Sequence, residues 1–366
     1  MGFEQFLGNE RIVHALRGML GNDRVPSALL FTGPRGVGKF TLARMFAQAA
    51  NCERLKDDFC GECAHCQRIS RLENLDSLVE AGLRERGESA DASMVERVPL
   101  IVETDPDVWA LVPDPVRLHT PVARPMIRVG QLRAVQRAAN FRPTGRRRLF
   151  ILDGANTMRW NDADLFLKIL EEPPESATLI LLAPRPDALP ITIRSRCLQF
   201  HFGPVPEEQI EKLLSQRTKL RAPDRALAAQ ISEGSPGVAL TIDLEESGRI
   251  RGEVLRLIRS AIDGKSYSEI FQSTAQLAKQ EKESFENILE LFYSLVADLL
   301  EYSIQAKVSR PRNPDLRKEL EALSKKVDLA WTLRTVESLD QLHGRLSRNV
   351  SRQLGLDAVS IAMGTR

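Results

Sequence analysis

The chain has 366 residues, 43% of them hydrophobic and 27% charged, with a formal net charge of +2. This is the composition of ordinary globular protein, which excludes a disordered or fibrous chain, and near-neutrality excludes a surface devoted wholly to nucleic acid. The length predicts two or three domains at about 150 residues each. No run is long enough to span a bilayer, and Met1 to Gly18 has no apolar signal-like segment, so a cytoplasmic location is expected.

Taken in chain order, Ala28–Thr32 reads as a buried strand running into Gly33-Pro34-Arg35-Gly36-Val37-Gly38-Lys39, a phosphate-cradling loop of the form G-x-x-x-x-G-K. Backbone N–H groups and the lysine of such a loop hold phosphates, and the hydroxyl of a following Ser or Thr holds Mg²⁺. Here the next residue is Phe40, which offers no oxygen. Thr41 does, but it points about 100° further round the helix. The candidate nucleotide-binding residues are Gly33, Gly36, Gly38, Lys39 and Thr41, with Asp153 further along, in a degenerate loop expected to bind nucleotide weakly or not at all. A helix is expected from Thr41 to Ala50.

Cys52, Cys60, Cys63 and Cys66 follow in the arrangement C-x7-C-x2-C-x2-C. Thiols stay reduced in the cytosol, and four thiolates at this spacing converge on one ion, so a closed structural Zn²⁺ site is expected. The surrounding segment is polar and loop-like, and His65 between two ligands could substitute for one of them but reads more simply as a solvated loop residue. The stretch Glu73 to Arg97, charged and weakly patterned, reads as an inserted surface loop. Arg142, Arg146, Arg147 and Arg148 make a basic loop, more simply a solvated turn than a contact to DNA backbone.

A second strand, Leu149 to Asp153, ends in the carboxylate expected to assist Mg²⁺ through water, but Gly154 stands where a water-polarising glutamate is usual. A helix is expected from near Asn161 to Pro173-Pro174, with Glu171 and Glu172 ending it rather than forming a catalytic pair, and then a strand from Thr178 to Ala183. Strand–helix–strand order predicts a parallel sheet. Two or three short helices are expected within Pro204 to Leu240, closing at Gly234-Ser235-Pro236-Gly237. Beyond Gly252 two apolar stripes are expected to serve core and subunit packing: Phe285, Ile288, Leu289, Phe292, Leu295, Val296 and Leu299, then Leu329, Leu333, Val336, Leu339, Leu342 and Leu346. Arg310 to Pro314 reads as the turn between them.

The run Leu167-Lys168-Ile169-Leu170-Glu171-Glu172-Pro173-Pro174, followed by Ile193-Arg194-Ser195-Arg196-Cys197, resembles the bacterial clamp-loader family of AAA+ proteins. With the phosphate loop and the cysteine insert directly after its helix, the resemblance covers nearly the whole chain. It implies an AAA+ domain over residues 1–203 carrying the zinc module of 52–66, a helical lid over 204–250, and an all-α oligomerisation collar over 251–366. It implies assembly with tau/gamma and delta subunits of the DNA polymerase III holoenzyme, a DNA-directed DNA polymerase, and through them contact with the sliding clamp and primed DNA.

Hydrolysing tau/gamma members of that family need a hydroxyl after the lysine, a glutamate after the strand-end aspartate, a polar residue ending the third strand and a lid arginine. This chain has Phe40, Gly154, Ala183-Pro184 and Gly237 in those places. It keeps Arg196, which in the family projects as an arginine finger into a neighbour's ATP site. The pattern resembles the non-hydrolysing delta prime kind of subunit, and no ATPase activity is expected of the chain alone. The alternatives are an active tau/gamma-type ATPase, disfavoured by Phe40, Gly154 and an end at Arg366 soon after the helical region, and a zinc-dependent nucleic-acid-binding module. Against the latter stand the near-neutral charge and an aromatic content of only 5%.

Overall fold

The computed structural model describes residues 2–122, 124–158, 163–172, 174–264, 266–279, 285–304, 311–346 and 351–364. They form two compact units, one of Met1–Ile210 with Gly234–Val238, the other of Glu211–Glu233 with Ala239–Arg366.

The first unit runs α1 (Glu10–Gly21), β1 (Ala28–Thr32), α2 (Lys39–Ala50), α3 (Ala64–Ser70), α4 (Leu75–Arg86), α5 (Ala92–Arg97), β2 (Val102–Asp105), β3 (Val108–Leu111), α6 (Val129–Ala139), β4 (Arg148–Leu152), α7 (Ala163–Glu171), β5 (Ala177–Ala183), α8 (Ile191–Arg194) and β6 (Leu198–His201). Its six strands lie in the order β2-β3-β4-β5-β1-β6. All neighbours pair parallel except the β2–β3 hairpin. Every residue of β1, β4 and β5 is buried, as a parallel sheet covered on both faces requires.

Alternate residues of these strands feed two cores. Leu29, Phe31, Leu149, Ile151, Ile180 and Leu182 face α1 and α2. Leu30, Phe150, Leu152, Leu179 and Leu181 face α6 and α7. The phosphate loop leaves the end of β1, between β5 and β6. This is the parallel P-loop-type α/β sheet expected around the motif, and a mostly helical region follows it.

Three expectations need correction in this unit. Glu73 to Arg97 is not a loop but carries α4 and α5. Leu83 is buried, and Leu75, Leu78 and Val79 pack on the sheet's core, a helical stripe narrow enough to be hidden among charges. His65 is not solvated: it lies on α3 with its Nδ1 2.9 Å from Asp105 Oδ2. Of the arginines read as a solvated turn only Arg142 is simply exposed: Arg148, the first residue of β4, is buried against Asp107, and Arg146 and Arg147 bond to backbone carbonyls. The hairpin β2–β3, edge strand β6 and helix α1 were not anticipated. For α7, the expected start at Asn161 and stop at Pro173 lie outside the described residues, and Ala163–Glu171 between them is helical.

The helical elements continue as α9 (Glu207–Arg217), α10 (Ala222–Ile231), α11 (Pro236–Thr241), α12 (Leu244–Ile262), α13 (Tyr267–Ala278), α14 (Phe285–Ser303), α15 (Arg317–Ser324), α16 (Leu329–Leu346) and α17 (Arg352–Gly364). The whole expected stripe of α14 is buried in the second unit's core. That of α16 is not: Leu329 and Leu333 are 55% and 61% exposed, while Trp331, Thr332, Thr335, Leu339 and Leu342 point inward. The two threonines tolerate burial because their hydroxyls bond back to the carbonyls of Asp328 and Trp331. The side chain of Leu346 and the turn residue Arg310 lie outside the described residues. The rest of that turn is pinned by buried Asp298, which accepts from the N–H groups of Arg312 and Asn313. No helix among the described residues is long and apolar enough to cross a membrane.

Candidate functional site

The phosphate loop is engaged by its own chain. Lys39 Nζ donates to the carbonyls of Gly33 and Pro34, each at 2.7 Å. Burial lowers the lysine's pKa against a raising pull from Asp153, and burial raises Asp153 against a lowering pull from Lys39. Gly36, at φ +75°, leaves no room for a side chain: a Cβ there would lie 2.8 Å from both Val238 Cγ2 and Val238 N. Gly237 N donates to Gly36 O at 2.8 Å, and a Cβ on Gly237 would meet that oxygen at 2.9 Å. The start of α11 thus rests on the loop backbone itself.

Each expected departure from a catalytic loop has a packing consequence. Phe40 is half-buried and packs on the core shared by α1 and α2. Thr41 is exposed, so its hydroxyl does not replace the missing metal ligand. Asp153 follows β4, its N–H bonded to Leu111 O at 2.9 Å. Gly154 adopts φ +74°, where a Cβ would meet Pro113 Cγ at 2.9 Å, so a glutamate there would be strained and crowded. At the end of β5 the buried methyl of Ala183 is followed by Pro184, whose carbonyl accepts from Gly33 N–H.

Arg196 follows α8 in a tight turn. Its Nη1 donates to Thr192 O and its Nη2 pairs with Glu171 Oε1, both at 2.7 Å. The side chain is 35% exposed and Glu171 is 48% exposed, so the pair is worth about 0–1 kcal/mol. Beside it the Cys197 thiol is pushed up to about 12 by burial.

The four clustered cysteines converge. One sulfur from each of Cys52, Cys60, Cys63 and Cys66 lies within 4.8 Å of the others. A tetrahedral zinc with bonds of about 2.3 Å places its sulfurs about 3.8 Å apart, a small contraction from this arrangement. The donor environment at Cys52 and Cys60 suits thiolates, whereas burial raises the Cys66 thiol in the absence of an ion. Leu55 and Cys60 N–H groups each reach Cys52 Sγ at 3.4 Å, and Glu62 and Cys63 N–H groups reach Cys60 Sγ at 3.4 and 3.3 Å. Burial raises the Cys60 pKa, but those N–H donors outweigh it and bring the thiol to about 7. His65 is turned away towards Asp105, which Arg68 Nε also contacts at 2.8 Å, so the ligand set is the four sulfurs. This cluster could hold a metal ion, and its chemistry fits zinc.

With the phosphate loop, the strand-end aspartate and the sheet order in place, residues 8–206 match the family described as DNA polymerase III, delta subunit. The chain belongs to that family. DNA polymerase III subunit tau/gamma of Haemophilus influenzae is 31% identical over 215 residues, which are 58% of this chain and 25% of that protein. Subunit tau of Escherichia coli K12 is 30% identical over 270 residues, 72% of this chain and 36% of that one. This delta-subunit-family chain therefore spans well under half the length of those relatives. A gamma-subunit-related protein of DNA polymerase III from Thermotoga maritima aligns over 96% of this chain and 98% of its own at 16% identity, with a TM-score of 0.37.

The sequence motifs did not point to Val238, which seals Gly36, or to Phe6, whose ring would lie 3.0 Å from a Cβ on Gly38. Arg146 was named only as a basic loop residue. A motif reading has no signal for these, since each acts through distant packing.

Proposed function

We propose that this chain is a non-hydrolysing, delta prime-type subunit of a DNA polymerase III clamp loader, assembling with tau/gamma and delta subunits to load a sliding clamp on primed DNA. The observation that supports this reading best is the self-engaged phosphate loop. Lys39 is spent on loop carbonyls, Gly237 bonds Gly36, and Phe40 is committed to the core. Phosphoryl transfer depends on positioning and charge stabilisation, and the loop lacks both the Mg²⁺ hydroxyl and a water-polarising carboxylate. In this reading the domain of residues 1–203 is followed by a lid over 204–250 and an oligomerisation domain over 251–366. The metal at Cys52, Cys60, Cys63 and Cys66 is structural zinc, and the protein works in the cytoplasm on the nucleoid-associated replisome.

Arg196 is the residue assigned to act in trans. Freed from Glu171 at a subunit interface, its planar, always-charged fork suits the charge of a transferring phosphoryl group, which lysine imitates poorly. The alternative of a hydrolysing tau/gamma-type subunit is favoured by one finding, the tau and tau/gamma relatives at 30–31% identity.

The test is the ATPase rate of the purified chain and of the complex reconstituted with its own tau/gamma and delta subunits. The chain alone is expected to match a Lys39→Ala control. Hydrolysis above that control would decide for the tau/gamma reading. In the complex Arg196→Ala is expected to leave folding, zinc and assembly intact and to lower ATPase and clamp loading. A finger is worth about 10³–10⁵ at the site it serves, but other subunits supply the remaining sites, so the loss is partial. An unchanged rate in a normally assembled complex would remove the trans-acting role.

A further inference from the structure

Six hydrogen bonds tie the loop before β4 to the start of the cysteine module, and none of their donors or acceptors is a metal-ligand sulfur. Asn51 Oδ1 accepts from the N–H groups of Arg146 and Arg147 at 3.0 Å each, and Asn51 Nδ2 donates to Arg147 O at 2.9 Å. The Arg146 guanidinium reaches across to three carbonyls through Nη2: Ala49 O at 3.1 Å, Leu55 O at 2.8 Å, and Cys52 O. Ala49 O, which also accepts from Cys52 N–H at 3.3 Å, lies at the C-terminal end of α2, where a cation is electrostatically favoured. Cys52 and Leu55 bound the turn whose own Leu55 N–H points at Cys52 Sγ, 3.4 Å away.

We propose that Arg146 is a positioning residue for the metal centre. It holds the Cys52–Leu55 turn in the shape that presents the Cys52 thiolate to the ion and aims an N–H donor at that thiolate. This inference rests on the reading that the four cysteines bind a metal. The physical reasoning is that a tetrathiolate around a divalent cation carries a net double negative charge. It is stabilised by a nearby fixed cation and by N–H donors that cannot swing away. Arg146 supplies the cation and removes the turn's freedom at once. The same guanidinium joins the end of α2 to the residues that enter β4, so one side chain spans the metal turn and the sheet.

The consequence is measurable without any catalytic assay. Wild-type protein, Arg146→Ala, Arg146→Lys and Phe150→Leu are purified with zinc. Zinc release to a colorimetric chelator is then followed at a temperature well below unfolding, and the Co²⁺-substituted proteins are compared by their thiolate charge-transfer absorption. Phe150→Leu, a core change on β4 remote from the cysteines, is the control for a loss of stability alone.

Loss of an outer contact to a metal centre typically costs about 10–100-fold in affinity, so Arg146→Ala should release zinc about 10-fold faster or more and change its cobalt spectrum. Arg146→Lys, with a point charge and fewer carbonyls within reach, should fall between. Phe150→Leu should release zinc at the wild-type rate. If Arg146→Ala does not accumulate as folded protein, the lysine variant decides, with zinc release faster than wild type supporting the role and equal release overturning it. Wild-type protein without bound metal would sink the metal reading itself. Wild-type protein with zinc and an Arg146→Ala variant that keeps it equally well would sink only the positioning role.

Discussion

The two ends of α2 make opposite use of the same helix. At its start lies a phosphate loop in which the groups needed for chemistry have been replaced, and the gaps are closed by the chain's own atoms. Lys39 bonds loop carbonyls and the backbone of Gly237 sits on Gly36. At its end lies a cysteine cluster that keeps every ligand, with four N–H donors already aimed at two of its sulfurs. One end is engaged by the chain's own residues, and the other gathers four sulfurs that could hold a metal ion.

The comparison breaks most visibly if the metal is removed. Cys63→Ser is expected to abolish stoichiometric zinc and to destabilise the first unit by on the order of several kcal/mol, because structural metal binding is folding free energy. The check is metal analysis with thermal denaturation. A metal-free protein with four titratable thiols and an unchanged transition would show that the cluster is ordinary packing.

At the opposite end the expected effects are smaller. Gly237→Arg restores a lid arginine but places a Cβ 2.9 Å from Gly36 O and 3.1 Å from Gly36 Cα, which backbone must move to accept. A loss of about 1–3 kcal/mol is expected, as for other overpacked contacts, with no gain of hydrolysis. Undiminished stability would mean the loop is not sealed by α11. Phe40→Thr supplies the missing hydroxyl and gives up a half-buried ring, costing about 1–2 kcal/mol. It should raise Mg-nucleotide affinity in a binding titration without producing turnover, because Gly154 still lacks a carboxylate. Turnover by this single variant would show that the lost hydroxyl alone silences the site.

The two ends also differ in how far they could be read in advance. The cysteine spacing is local, so its convergence was visible in four residues. The defect at Phe40 was visible as one missing oxygen. What α11 does to Gly36 was not, because Gly237 is read as a lost arginine until its N–H is found on the loop. The fates of His65 and Arg146 depend on partners 40 and 94 residues away, a separation at which local composition predicts solvent for any charged side chain. Likewise α4 carries a narrow apolar stripe between arginines and glutamates, and β2 and β3 are four residues each, too short for periodicity to separate them from loop. The parallel sheet was legible through its motif-bearing strands, and its edge was not.

The finest test concerns Asp107, which holds the 144–148 segment through Thr144, Gly145 and Arg148. Its Oδ2 accepts from Thr144 Oγ1 and Gly145 N–H at 2.6 Å each, and Arg148 Nη2 donates to Oδ1 at 2.9 Å. Burial alone would raise the pKa of this carboxyl, but the bonds from Thr144, Gly145 and Arg148 more than offset it and the folded-state value is lowered. A depressed carboxylate contributes stability that is present above its unfolded value, about 3.9, and is lost as pH falls through the folded value. Stability of the first unit should therefore decline below about pH 4 more steeply in the wild type than in Asp107→Asn. The variant should be the less stable of the two at pH 7, and the curves should converge as the wild-type carboxyl takes up its proton. Denaturant titrations from neutral pH downwards measure both. Parallel curves would mean that Asp107 is held by shape rather than by charge, and that the loop shared by β4 and the cysteine module depends on its metal side alone.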